Sequence, residues 1–193
     1  RDACYDGRYW LNYGPSAQTD GGMKLLGAYN KWGFMTTGEC AQGHNSATVD
    51  DEGRAFVVYH TKFNDGMPQY AFHAVRVHQL FVNADGWLCA APFEYDGETD
   101  TDATLATACR YTADEIAGTY DVLIHKYRMN YAEFEEVTPV QLTLGTDGRV
   151  TGKLTGTWTL ADGTAYITLK VNNVEYKGVV VQQHVDDSKA LAI

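Results

Sequence analysis

Ala165-Tyr166-Ile167-Thr168-Leu169-Lys170-Val171, then Asn172-Asn173, then Val174-Glu175-Tyr176-Lys177-Gly178-Val179 is the stretch that decides the fold class. Ala165, Ile167, Leu169 and Val171 alternate with Tyr166, Thr168 and Lys170. In an extended chain that alternation makes one face apolar and leaves the other to water. Asn172-Asn173 reads as the turn between two such strands, because asparagine tolerates the backbone a tight hairpin requires. The pattern continues upstream. Val140 to Leu144, Thr146-Asp147-Gly148 and Val150 to Leu160 form another hairpin, and Ala161-Asp162-Gly163 leads into Ala165. Glu115 to Lys126 begins this strand run. Meandering strands joined by short turns predict a small antiparallel barrel, closed or nearly so. No segment shows helical periodicity.

The first half of the chain carries strand signals of its own. Tyr9 to Tyr13 lies between Asp6-Gly7 and Gly14-Pro15. Ala47 to Val49 passes through the charged turn Asp50-Asp51-Glu52-Gly53 into Ala55 to Thr61. Val75 to Asn83 is closed by Asn83-Ala84-Asp85-Gly86 and returns along Trp87 to Pro92. Such a meander is what one β-propeller blade needs. A lone blade leaves its edges and one face bare, so it calls for neighbours. Tyr95 to Cys109 breaks the composition, being rich in Asp, Thr and Ala, and reads as a linker or a surface excursion.

Bulk properties narrow the partners. At 193 residues and 45% hydrophobic content the chain can bury a core. A formal charge of −10 leaves no basic patch to replace phosphate counterions, which argues against nucleic acid and against an anionic membrane surface. A neutral sugar polymer fits. No apolar run approaches the roughly eighteen residues of a membrane span. Arg1 is followed by polar residues, so no signal peptide is read, as in a mature secreted protein. Cys4, Cys40, Cys89 and Cys109 lack CxxC spacing and suggest no zinc site. Two disulfides are possible, and free, buried thiols are the favoured expectation.

Several phrases, taken in order, resemble glycoside hydrolase family 43, in its arabinanase branch. Over Met23 to Glu98 these are Lys24-Leu25-Leu26-Gly27-Ala28-Tyr29, Gly43-His44-Asn45-Ser46, Tyr59-His60-Thr61-Lys62, Arg76-Val77-His78-Gln79-Leu80, Asp85-Gly86-Trp87 and Ala91-Pro92-Phe93. They look like the last blade of a five-bladed β-propeller. Over Glu115 to Ile193, Glu115-Ile116-Ala117-Gly118-Thr119-Tyr120, Thr155-Gly156-Thr157-Trp158 and Tyr176-Lys177-Gly178-Val179 resemble the accessory β-barrel of the endo-acting members. The resemblance implies an all-β chain: an incomplete propeller domain over 1–98, a linker over 99–110 and an accessory barrel over 111–193. Ser16 to Gly22 abuts the Lys24 motif where family members place a long stretch, so the chain reads as a fragment or as one with internal stretches missing.

The activity implied is inverting hydrolysis of α-1,5-linked L-arabinan, a plant cell-wall polysaccharide, by a secreted or periplasmic enzyme. Inversion needs an acid and a base carboxyl about 6.5–9.5 Å apart, and in the family both lie on earlier blades. The expected partners are therefore arabinan or arabino-oligosaccharide and the remaining blades of the same enzyme. Asp2, in Asp2-Ala3-Cys4, matches the family's third Asp, which tunes the acid. His44, read as a turn histidine at the start of a strand, is implied to contact calcium or another hard cation such as sodium through water at the propeller centre. Asn45 and Ser46 are expected to hold that turn, and His60 and Arg76 to support the site floor. Trp32, in a polar Gly-rich loop, is the candidate sugar platform, while Trp87 and Trp158 are expected in the core. The competing readings are a non-catalytic carbohydrate-binding or structural module, and an exo-acting arabinofuranosidase or xylosidase of the same family.

Overall fold

The computed structural model describes residues 25–33, 35–64, 73–108, 110–125, 136–185 and 188–193. Asp2, Trp10, Cys4, Cys109 and the Ser16–Gly22 stretch lie outside the described residues. The architecture is all-β and antiparallel, as the alternation predicts.

The first sheet consists of β1 (Gly38–Val49), β2 (Ala55–Asn64), β3 (His73–Val82) and β4 (Leu88–Ala90), hydrogen-bonded in sequence order. Its turns follow from their side chains. Asp50 Oδ1 accepts from the amides of Glu52 and Arg54 at 3.1 and 2.8 Å, and Gly53 takes φ +81°. At the next turn Asn83 Oδ1 accepts from the amides of Asp85 and Trp87, both at 3.0 Å. The second turn carries Trp87 outward. The side chain expected in the core is 41% exposed, because Asn83 fixes the Asp-Gly turn two residues before the strand resumes.

The second sheet is a six-stranded meander of β5 (Gly118–Val122), β6 (Val140–Leu144), β7 (Arg149–Gly152), β8 (Gly156–Leu160), β9 (Tyr166–Val171) and β10 (Val174–Val179). Asn172 and Asn173 adopt φ +50° and +63° between Val171 and its partner Val174, a two-residue turn with both residues left-handed. The inward residues Leu142, Leu144, Val150, Trp158, Ile167 and Val171 form one buried cluster. Trp158 is buried there as expected, its indole N–H donating to the Gly145 carbonyl at 2.8 Å. A final hairpin, β11 (Val181–Val185) with β12 (Ser188–Ala192), completes the chain.

Among the described residues two short helices interrupt the strands: α1 (Asp102–Thr107) and α2 (Ala113–Ile116). Glu115 and Ile116, read as strand, are helical, and pairing begins at Gly118. Helices of fewer than two turns leave no period in a sequence, but each has a capping box, Thr101 with Thr104 and Thr112 with Glu115. α1 lies in the Tyr95–Cys109 stretch. Its Leu105 is buried with Phe81 and Ala91 of the first sheet region, Ala165 and Val179 of the second, and Val181 and Ala192 of the final hairpin, so this cluster joins all three.

A bulged strand with a row of histidines as the candidate functional site

Strand β1 is longer than its partner by two residues. Cys40 faces Lys62, Gly43 faces His60 and Ser46 faces Val58, so twice over three residues of β1 span two of β2. Each excess residue is absorbed in a bulge, and each bulge holds a non-glycine residue in the left-handed region: Ala41 at φ +54° and His44 at φ +50°. His44 therefore lies inside a strand and not in a turn at its start. Two bulges let pairing run straight through Gly43-His44-Asn45-Ser46. They also bend the strand and re-aim its side chains, leaving His44 and Asn45 exposed.

His44 meets His60 of β2 edge to face, with ring centroids 5.6 Å apart and planes at 89°. His60 meets His73 of β3 in the same way, at 5.1 Å and 81°. Three imidazoles thus stand in a row across three adjacent strands. His60 Nδ1 is shielded from solvent and has no hydrogen-bond partner among the described residues. Of the expected site residues, the fold brings together His44, Asn45 and His60 and adds His73.

Arg76 belongs to the opposite face. His60 pairs with Val75 and Tyr59 with Arg76, and successive residues of a strand alternate sides. Arg76 Nε and Nη2 both lie 2.8 Å from Glu39 Oε1, its Nη1 lies 3.3 Å from Glu94 Oε2, and the guanidinium sits 5.3 Å from the Phe63 ring centre. The Glu39 side chain is completely buried. Burial would lower the Arg76 pKa, but the hydrogen bond and charge of Glu39 outweigh it and raise it. The same face holds a fixed hydrogen-bond chain. His78 Nδ1 lies 2.7 Å from the Ala91 carbonyl, which can only accept, so Nδ1 carries the proton. Nε2 then accepts from the Tyr59 hydroxyl at 3.1 Å. Burial lowers the His78 pKa against the opposing Ala91 bond, and burial followed by the Glu39 charge raises that of Tyr59.

Trp32 is also on this side. It stacks on Phe93 at 4.8 Å with planes 15° apart and meets Tyr29 edge-on at 6.2 Å, so one of its faces is covered by protein. Glu39, the contact of His73 with His60 and the Tyr59–His78 hydrogen bond escaped the reading of the sequence, which expected His73 and His78 only to pack or bond to backbone. Strand alternation would have grouped His60 with His73 once β2 and β3 were paired, but no sequence signal joins Glu39 to Arg76 from two strands away.

The profile of a C-terminal lipocalin-like domain, GH43_C, matches residues 92–193, more than half of the chain. The chain belongs to this family. Relatives of the GH43_C chain extend the likeness across the first sheet. The extracellular endo-α-(1→5)-L-arabinanase of Thermotoga petrophila is 35% identical over 188 residues, covering 89% of this chain and 36% of the relative. The extracellular endo-α-(1→5)-L-arabinanase 2 of Bacillus subtilis is 36% identical over 169 residues, covering 84% of this chain and 32% of the relative. Among solved structures, a family 43 glycoside hydrolase of Bacillus licheniformis superposes with a TM-score of 0.72 at 29% identity, over 88% of this chain and 35% of that one. The chain therefore spans about a third of the length of the curated relatives it matches. Among the described residues no helix is long and apolar enough to cross a membrane.

Proposed function

We propose that this GH43_C chain is the C-terminal part of an extracellular endo-α-1,5-L-arabinanase that hydrolyses arabinan with inversion. The observation that carries this reading is likeness to two named arabinanases that continues through both sheets, well beyond the accessory domain. In this reading residues 1–98 belong to a propeller, 99–110 link it to the barrel, and the barrel begins at 111.

The described carboxylates with defined contacts serve the fold. Asp50 holds a turn, Glu39 pairs with Arg76, Glu98 accepts from the amides of Asp96 and His184, and Asp102 accepts from that of Val82. The acid and base are accordingly assigned to blades outside these residues, with Asp2 as the third, tuning carboxylate. His44 is the chain's contribution to the chemistry. Among the described residues no cluster of three His, Cys, Asp or Glu side chains is arranged to hold a metal. One exposed imidazole without an oxygen cage suits a hard cation reached through its water shell, not one ligated directly by this chain. Bound there, calcium or sodium would supply a fixed positive charge that favours ionised carboxylates and a neutral imidazole. His60, packed edge-on against His44, holds that ring in place, while Asn45 stands beside it on the solvent side.

The full-length protein incubated with linear α-1,5-arabinan tests this. Release of arabino-oligosaccharides whose new reducing ends first appear, by NMR, in the inverted configuration is the expected result. His44→Ala should reduce turnover roughly 10- to 100-fold, the range for residues that act through a metal's outer shell, without altering the melting transition. Absence of hydrolysis, or a retained anomer, would sink the reading.

A further inference from the structure

The β1–β2 hairpin is fixed at its turn by Asp50, and its two bulges lie between that turn and its open end. A bulge leaves a residue unpaired and breaks the ladder locally, so the bulged stretch resists displacement less than a regular strand. Where His44 stands therefore depends on what holds the open end, at Gly38 and its partner Asn64.

Both strands are held there from the barrel. Tyr29, in the segment before β1, forms an antiparallel bridge with Glu39 and a parallel bridge with Val137, on the approach to β6. Tyr29 N–H donates to the Glu39 carbonyl at 2.9 Å, and Glu39 N–H donates to that of Tyr29 at 3.0 Å. On the other side Asn30 N–H donates to the Val137 carbonyl at 2.8 Å, and Val137 N–H to that of Ala28 at 3.1 Å. Barrel side chains add to this grip. Thr138 Oγ1 accepts from the Asn30 amide at 3.1 Å, and Asp121 Oδ2 of β5 accepts from Gly33 N–H at 3.0 Å. The neighbouring Glu136 carboxylate accepts from the side-chain amide of Asn64 on β2. The fit is close on the blade side too. A Cβ on Gly38 would collide with the Tyr29 carbonyl oxygen and come within 3.0 Å of Asn30 Cα. Glu39 is thus fixed through its backbone by Tyr29 and through its side chain by Arg76, just before the first bulge.

We infer that the barrel is a positioning element for His44: Asp121 and residues 136–138 hold the Ala28–Gly33 segment, and that segment holds the bulged strand. The catalytic half of this inference rests on the arabinanase reading; the mechanical half does not. Asp121 and Thr138 act only through the strand they steady.

Hydrogen exchange and arabinan kinetics of the full-length protein test both halves. The double variant Asp121→Ala with Thr138→Val removes both side-chain acceptors and leaves the backbone bonds. It should speed exchange of the amides of residues 41–46 about tenfold, the worth of two ordinary hydrogen bonds, while β9 and β10 keep wild-type rates. On linear arabinan kcat should fall roughly tenfold with KM within about twofold, since a misplacement of about 1 Å can cost 10²-fold in rate. Asp121→Asn with Thr138→Ser keeps both acceptors and should restore both readings. Gly38→Ala pushes the segment off β1 and makes the same test from the blade where the double variant fails to fold. Trp158→Phe weakens the barrel core without touching these contacts and should change neither reading. Unaltered exchange at 41–46 overturns the inference. So does an equal change in Trp158→Phe, which would reduce the barrel's effect to general stability. Faster exchange with unchanged kcat overturns the positioning of His44. If the wild-type protein does not cleave arabinan, the arabinanase reading fails with the catalytic half, and exchange still decides the mechanical one.

Discussion

The two sheets solve the same problem, burial of one face, by different means. The barrel buries an apolar set from Ile116 through Leu142, Leu144 and Val150 to Ile167, Val171 and Val180, and its buried polar groups are satisfied: the Trp158 N–H by Gly145 and the Gln183 amide by Phe93. The blade sheet buries Glu39, Thr61, His78, Gln79 and Asn83 among its apolar residues. Apolar burial is tolerant of geometry, while buried polar groups hold only when every partner is in place. The barrel core therefore rests mainly on apolar packing, and one side of it is shared with Phe81, Ala91 and Leu105. The blade is a scaffold whose polar groups fix particular positions, as expected of the sheet that presents the candidate site.

The sharpest test of this contrast is the Glu39–Arg76 pair. Arg76→Leu strands a buried carboxylate and should cost about 3–5 kcal/mol in urea denaturation, whereas the double change Glu39→Leu with Arg76→Leu should recover most of it. A single variant within about 1 kcal/mol of wild type would mean that the blade core is as forgiving as the barrel.

Acid should separate the sheets next. The His78 pKa is lowered in the fold from its ordinary 6.5, so below that value the unfolded chain binds more protons than the native one. The stability contributed by neutral His78 is present above about pH 6.5 and is lost as pH falls from there through the lowered folded value. Hydrogen exchange followed from pH 7.5 to 5 should show β2 and β3 losing protection before β6 and β9, and His78→Gln should flatten that loss. Uniform loss across both sheets would erase the distinction.

The smallest effect concerns strain. Ala41→Gly relieves a left-handed alanine at φ +54° and should stabilise the protein by about 0.4–1 kcal/mol, visible as a small rise in melting temperature. A destabilising result would show that the alanine methyl group packs well enough to outweigh the backbone cost.

How much of this was legible in the sequence follows the same division. In the barrel, Ala165 to Val179 announces its strands, its inward face and its two-asparagine turn, because period two and turn chemistry are local properties. In the blade, Asp50-Gly53 and Asn83-Gly86 give the turns, and Gly43-Ser46 marks the candidate site. The bulges could not be read, since an extra residue in a strand is defined only by its partner. The same is true of the His44–His60–His73 row, which depends on register, and of Glu39 beneath Arg76, which depends on contact across two strands. α1 and α2 were hidden for a different reason: a helix of fewer than two turns is declared by its capping threonines and not by any repeat.

The paired bulges have a consequence for how this strand can change length. In a regular strand a single inserted residue reverses which side chains point up and which point down for everything beyond it, unless a bulge takes that residue up. Beyond both bulges Ser46 and Thr48 face the same way as Cys40, while between them the sense is inverted, with Gly43 opposite His60. Each bulge takes up its own extra residue, so losing Ala41 alone would close the first bulge and still leave Gly43 opposite His60 and everything beyond it in the right sense. In this part of the chain, changes of length are therefore absorbed one residue at a time, and the histidine is the left-handed residue of the second bulge.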